Sequence, residues 1–175
     1  MLPYYQKLNL ELSYEDWRFL NYLSDTYNGK VNPFVHMGHE THFYKDFFLR
    51  ASDKSYRDNI LFKKIADLFI EGSQYNSSDW VFDYSQISVV KDHLPIHRDR
   101  RTCVITIPLT PIKAPIKWYS SKDEADFLYD YSYDCPATLV NTKLLHGSPG
   151  NQDKRIFFQV GGFGEDLTDV VKHLR

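Results

Sequence analysis

The chain has 175 residues, with 21 basic residues against 23 acidic, 42% hydrophobic and 25% charged. That length suits one domain whose core folds without disulfides. The balance of charge and hydrophobicity argues against disorder and against a grip on nucleic acid carried mainly by phosphates, and no apolar run is long enough for a transmembrane helix.

The start, Met1-Leu2-Pro3-Tyr4, has no basic stretch followed by an apolar one, so no signal peptide is expected. Ser13 with Asp16 three residues later resembles a capping box, and Trp17, Leu20, Leu23 and Tyr27 then recur at helical spacing. Asn28-Gly29 is a helix stop. Residues 31–50 show no clear period and hold Pro33, Gly38, His36, His39 and His42. The expectation there is an irregular segment with a short strand. It would be a loop over a site mouth, walled by Phe34, Phe43 and Tyr44, rather than a second metal site. A second helix is predicted over 55–71, with Ile60, Leu61, Ile65, Leu68 and Phe69 on one face and Gly72 ending it.

From Trp80 the pattern changes to short strands, predicted at 80–90, 102–109, 116–119, 127–133, 137–141 and 155–161. The run Cys103-Val104-Ile105-Thr106-Ile107 is apolar on both faces, as in a strand covered on both sides. The expected fold class is mainly β with flanking helices, a barrel or sandwich backed by N-terminal helices. One domain, 1–175, would comprise a helical support (1–79), a β core (80–164) and a C-terminal tail (165–175). Segment 120–134, with Phe127, Tyr129, Tyr131 and Tyr133 alternating with polar residues, reads as an amphipathic strand more than as a lid. Cys103 and Cys135 do not make a disulfide framework; they read as buried free thiols more than as one disulfide, which points to a reducing cytoplasm.

The chemistry-bearing residues lie in the strand-rich half. His97 and Asp99 are two apart, so on extended chain both side chains point to one face, roughly 6–7 Å apart. His146 follows a predicted strand, and Arg155 opens the last one. Two histidines and a carboxylate form the facial triad that leaves open positions on Fe(II). An arginine nearby can hold a carboxylate by a two-point bridge. Taken singly, each has a plainer reading: a hydrogen-bonded His-x-Asp pair, a loop histidine, a surface ion pair.

His97-x-Asp99, the distal His146 and the following Arg155 resemble the pattern of Fe(II)- and 2-oxoglutarate-dependent oxygenases. The resemblance covers about half of the chain. It is strongest to small phage and bacterial members near the aspartyl/asparaginyl β-hydroxylase and prolyl 4-hydroxylase branches. It implies a double-stranded β-helix (a jelly-roll or cupin-like barrel). Fe(II) would be held by His97, Asp99 and His146, and 2-oxoglutarate would lie with its far carboxylate on Arg155. Asn141 and Thr106 are further candidates for contact with 2-oxoglutarate, as are Gln159 and one of Tyr84, Gln86 and Ser88. Trp118, Tyr119 and Arg101 are candidates for the substrate side. The implied activity is a dioxygenase that uses O2 and couples decarboxylation of 2-oxoglutarate to hydroxylation. Its substrate would be an amino-acid side chain of a protein or peptide, or a small molecule, in the cytoplasm of the cell or of a phage host. Two departures stand out: the prolyl 4-hydroxylase branch usually has Lys where Arg155 stands, and the aspartyl/asparaginyl β-hydroxylases lack the carboxylate ligand. Two other readings use the same residues, a cupin-like metal enzyme without 2-oxoglutarate and a non-catalytic binding barrel. The first has no use for Arg155 as a carboxylate anchor, and the second predicts no tight iron and no response to 2-oxoglutarate.

Overall fold

The computed structural model of the protein describes residues 3–30, 44–91, 94–112, 114–148 and 154–175. The segment with His36, His39, His42, Phe34 and Phe43 lies outside the described residues.

Among the described residues, ten strands form two antiparallel sheets. They are β1 (Tyr5–Leu8), β2 (Tyr44–Phe48), β3 (Ser85–Val90), β4 (Leu94–His97), β5 (Cys103–Pro108), β6 (Ile116–Tyr119), β7 (Phe127–Tyr131), β8 (Ala137–Asn141), β9 (His146–Ser148) and β10 (Arg155–Val160). The large sheet runs β1-β8-β5-β10-β3-β2 and the small one β4-β9-β6-β7. Their facing surfaces make a jelly-roll barrel with flanking helices, the fold class expected from the sequence.

Alternation along the strands explains the two-sided burial. In β5, Cys103, Ile105 and Ile107 join the core beneath the helices, while Val104 packs inside the barrel with Ile116, Trp118, Tyr131 and Val140. In β10, Ile156, Phe158 and Val160 face the helices, so Arg155, Phe157 and Gln159 face the barrel interior. Inside the barrel the Phe157 ring meets that of Tyr133.

The helices cover the large sheet. Helix α1 (Tyr14–Tyr27) begins on the expected capping box: Asp16 N donates to Ser13 Oγ, and Ser13 N donates to Asp16 Oδ2. Leu20 and Leu23 are fully buried beneath it. The predicted 55–71 helix is instead split. A 3-10 turn, Lys54–Asp58, stops at Asn59, whose extended backbone and side-chain acceptor for Leu61 N start α2 (Ile60–Ala66). Ile60 is exposed as a result, whereas Leu61, Phe62 and Ile65 are buried. The predicted 80–90 strand is likewise divided. Ser77 accepts from Trp80 N and caps α3 (Ser78–Asp83), and the strand begins at Ser85. Strands β1 and β2 fall within the first 79 residues and belong to the large sheet. The last eleven residues hold α4 (Leu167–Lys172) and tie back through Ile70 N to His173 O and Arg175 N to Leu68 O. Among the described residues, no helix is long and apolar enough to cross a membrane.

Candidate metal centre

Strands β4 and β9 pair antiparallel, with His97 and His146 as direct partners. Gly147 makes that approach possible. A Cβ there would lie 2.9 Å from Leu94 O and 3.3 Å from the Ile96 Cα, which is too close for any side chain. The loop after β4 is stitched to the loop before β9: Asp99 N donates to Thr142 O (3.0 Å), and Thr142 Oγ1 donates to Arg101 O (3.0 Å). One ligand atom from each of His97, Asp99 and His146 lies within 4.8 Å of the others.

Both imidazoles are set for coordination through Nε2. His97 Nδ1 lies 2.7 Å from Pro95 O, and His146 Nδ1 lies 2.9 Å from Leu144 O. A carbonyl only accepts, so Nδ1 carries the hydrogen and the neutral ring keeps its lone pair on Nε2. Burial pushes the His146 imidazole down to about 4, so it is neutral at physiological pH. Burial also pulls on His97, but its bond to Asp99 (Nε2–Oδ1, 3.2 Å) outweighs that and moves it up. Burial likewise raises the Asp99 carboxyl, yet Arg101 and His97 together hold it well below the usual carboxylate range. An ionised carboxylate and two imidazoles are a hard-to-borderline donor set suited to a divalent first-row metal.

Arg155 lies on the interior face of β10, and its Nη1 donates to Ser148 Oγ. That hydroxyl in turn donates to Pro115 O at 3.1 Å. Ser148 is two residues beyond His146 on the same strand, so the arginine contact is displaced from the histidine by about 6–7 Å. Tyr133 is also near Arg155, and burial raises its hydroxyl pKa. Its backbone is left-handed (φ 54°), unusual for a bulky residue, and its ring packs on Tyr131 and Phe157.

Other sequence candidates are placed differently. Thr106 faces the interior but pairs with Gln159, four residues along β10 from Arg155 or about 13 Å. The two cannot grip one carboxylate. Asn141 faces neither: its amide donates to Pro3 O, and its Oδ1 accepts from Lys143 N and Leu144 N, closing the turn that leads to His146. Trp118 and Tyr119 cannot both line a pocket, because neighbours on a strand point to opposite faces. Trp118 is fully buried in the interior, donating to Asn141 O, while Tyr119 meets Phe127 on the other side of the small sheet. Tyr84 sits before β3 against Gly162, whereas Gln86 and Ser88 face the interior.

A polar cluster lies beside Asp99, and of its members Asp46 alone was not a candidate from the sequence. Arg101 Nε donates to Asp99 Oδ2 (2.9 Å) and its Nη2 to Gln159 Oε1 (3.1 Å). Behind them Asp46 Oδ1 accepts from Gln86 Nε2 (3.0 Å) and Ser88 Oγ (2.5 Å), with the Tyr44 hydroxyl 3.3 Å from Ser88. Burial raises the Asp46 carboxyl, and the nearby Arg101 charge opposes that rise. Ser148 was the more legible omission, since it shares a strand face with His146.

No protein-family model matches the sequence, and no curated protein matches it. Solved structures do. EctD from S. alaskensis, in its apo form, superposes with a TM-score of 0.52 at 13% identity, covering 90% of this chain and 72% of that one. AviO1 from Streptomyces viridochromogenes Tue57 gives a TM-score of 0.43 at 12% identity over 92% of this chain and 90% of its own. The first likeness shows a shared fold, in keeping with the jelly-roll barrel of two facing sheets described above.

Proposed function

We propose that this chain is an Fe(II)- and 2-oxoglutarate-dependent dioxygenase that hydroxylates an amino-acid side chain of a protein or peptide, or a small molecule. One observation carries the reading. His97, Asp99 and His146 converge within 4.8 Å, and Arg155 lies on the same barrel interior beside Ser148, one same-face step beyond His146. That offset suits a short diacid whose near end meets the metal and whose far carboxylate meets the guanidinium.

The residues present fit the iron, and they would hold it through His97 Nε2, Asp99 Oδ1 and His146 Nε2. When bound, iron with its co-substrate supplies the activation of O2. The chain does the rest: Pro95 O and Leu144 O fix the imidazole tautomers. Ser148 holds Arg155 at the carboxylate position. Trp118, Val104 and Val140 keep the adjacent interior dry. This fits an oxidative reaction that needs water excluded. The motif residues resemble those of small members near the aspartyl/asparaginyl β-hydroxylase and prolyl 4-hydroxylase branches. The near-equal charge counts favour such substrates over nucleic acid.

The test is anaerobic addition of Fe(II) and 2-oxoglutarate. A visible absorption band is expected with both together and with neither alone, and His146→Ala should abolish it. Wild-type protein that shows no band and no thermal stabilisation by the pair would sink the reading.

A further inference from the structure

Resting on the reading of His97, Asp99 and His146 as metal ligands, we propose that Arg101 is a positioning residue that makes Asp99 a one-oxygen donor and so keeps a coordination position open. A carboxylate can occupy one position on a metal or two. In Asp99 the two oxygens are already divided. Oδ1 faces His97 Nε2 at 3.2 Å, and Oδ2 accepts from Arg101 Nε at 2.9 Å.

Arg101 is itself held from behind. Its Nη2 donates to Gln159 Oε1, which also accepts from Gln86 Nε2 (3.0 Å). Gly161 leaves room for it: a Cβ there would stand 3.3 Å from Arg101 Nη1 and 3.4 Å from its Cδ. The backbone on either side is pinned as well, Asp99 N to Thr142 O and Thr142 Oγ1 to Arg101 O. Both the placement and the rotation of the carboxylate are thus set by the protein before a metal arrives. An arginine beside a dication opposes metal binding by charge. Its contribution is therefore geometric. It withholds Oδ2 from the metal and spares a position for co-substrate or O2.

The experiment uses the full chain with Mn(II) as the probe and no 2-oxoglutarate, counting exchangeable waters on the ion by water-proton relaxation. A triad of one-oxygen and imidazole donors on a six-coordinate ion leaves about three waters. Arg101→Leu should lose one of them, a drop of about a third in the relaxation enhancement, with Mn(II) bound as tightly as before or tighter. Arg101→Lys, whose ammonium can still reach Oδ2, should restore it. Gly161→Ala crowds the guanidinium without removing charge and should give an intermediate loss; it carries the test if Arg101→Leu does not fold. Three waters retained in Arg101→Leu, with an unchanged melting temperature, overturns the positioning role. A different result, wild-type protein without Mn(II) affinity or His146→Ala binding it normally, overturns the ligand reading itself.

Discussion

Burial acts on both histidines of the candidate centre, and their neighbours decide the outcome. His146 is 3% exposed, with Asp99 too weak a counterweight, and falls to about 4. His97 is more open and bonded to Asp99, and it rises. The linkage signs are opposite. His146 binds its proton more weakly folded than unfolded, so it takes stability away as pH drops below the unfolded value, 6.5, toward 4. His97 contributes stability that is full below 6.5 and is lost as pH rises through its higher folded value. Asp99 has a depressed folded value, so its contribution is present above 3.8 and is lost as pH falls below that. Between pH 6.5 and 4.5 the dominant change of the three is therefore the His146 penalty, roughly 2 kcal/mol. In chelator-treated protein, urea unfolding should show wild type losing about that much more over this interval than His146→Gln. Parallel losses in the two proteins would refute the assignment of that acid limb to His146.

At the level of elements, the site depends on two strands too short to show a period, β4 with four residues and β9 with three. Their contact is set by Gly147. Gly147→Ala would force its methyl against Leu94 O and the Ile96 Cα, so β4 must move and His97 with it. The expected cost is about 1–3 kcal/mol of stability, with Mn(II) affinity down at least tenfold by calorimetry; wild-type affinity in this variant would show that the strand spacing does not set the ligands. The helix start at Ser13, the strands at 116–119 and 137–141 and the convergence of His97, Asp99 and His146 were readable, because caps, period-two runs and same-face spacing are local. The break at Asn59 and the short helix before Ser85 were not. There a side-chain cap overrode an apolar run that continues across it. The placement of Thr106, Asn141 and Tyr119 was not legible for a different reason. Which face of a strand is interior depends on pairing: the β10 register sets Thr106 opposite Gln159 rather than Arg155, and Asn141 turns to close a loop.

Across the whole molecule, the candidate centre draws on two sheets that pack face to face and also share hydrogen bonds, such as Trp118 Nε1 to Asn141 O. His97 and His146 belong to the small sheet and Arg155 to the large one. The hydrophobic bond between the sheets lies off to one side, where Trp118 and Tyr131 of the small sheet meet Tyr5, Val104 and Val140 of the large one. A diacid held by the metal at one end and Arg155 at the other would add a second tie across the barrel. Binding to the folded state alone stabilises it by mass action, about 2.7 kcal/mol when the ligand is at a hundred times its dissociation constant. Mn(II) should therefore raise the unfolding free energy by itself, and 2-oxoglutarate should add a further increment only when Mn(II) is present. Arg155→Ala should keep the first increment and lose most of the second, each measured against its own ligand-free baseline. His146→Ala should lose both. Stabilisation by 2-oxoglutarate without metal, or an undiminished second increment in Arg155→Ala, would mean that the diacid does not bridge the sheets.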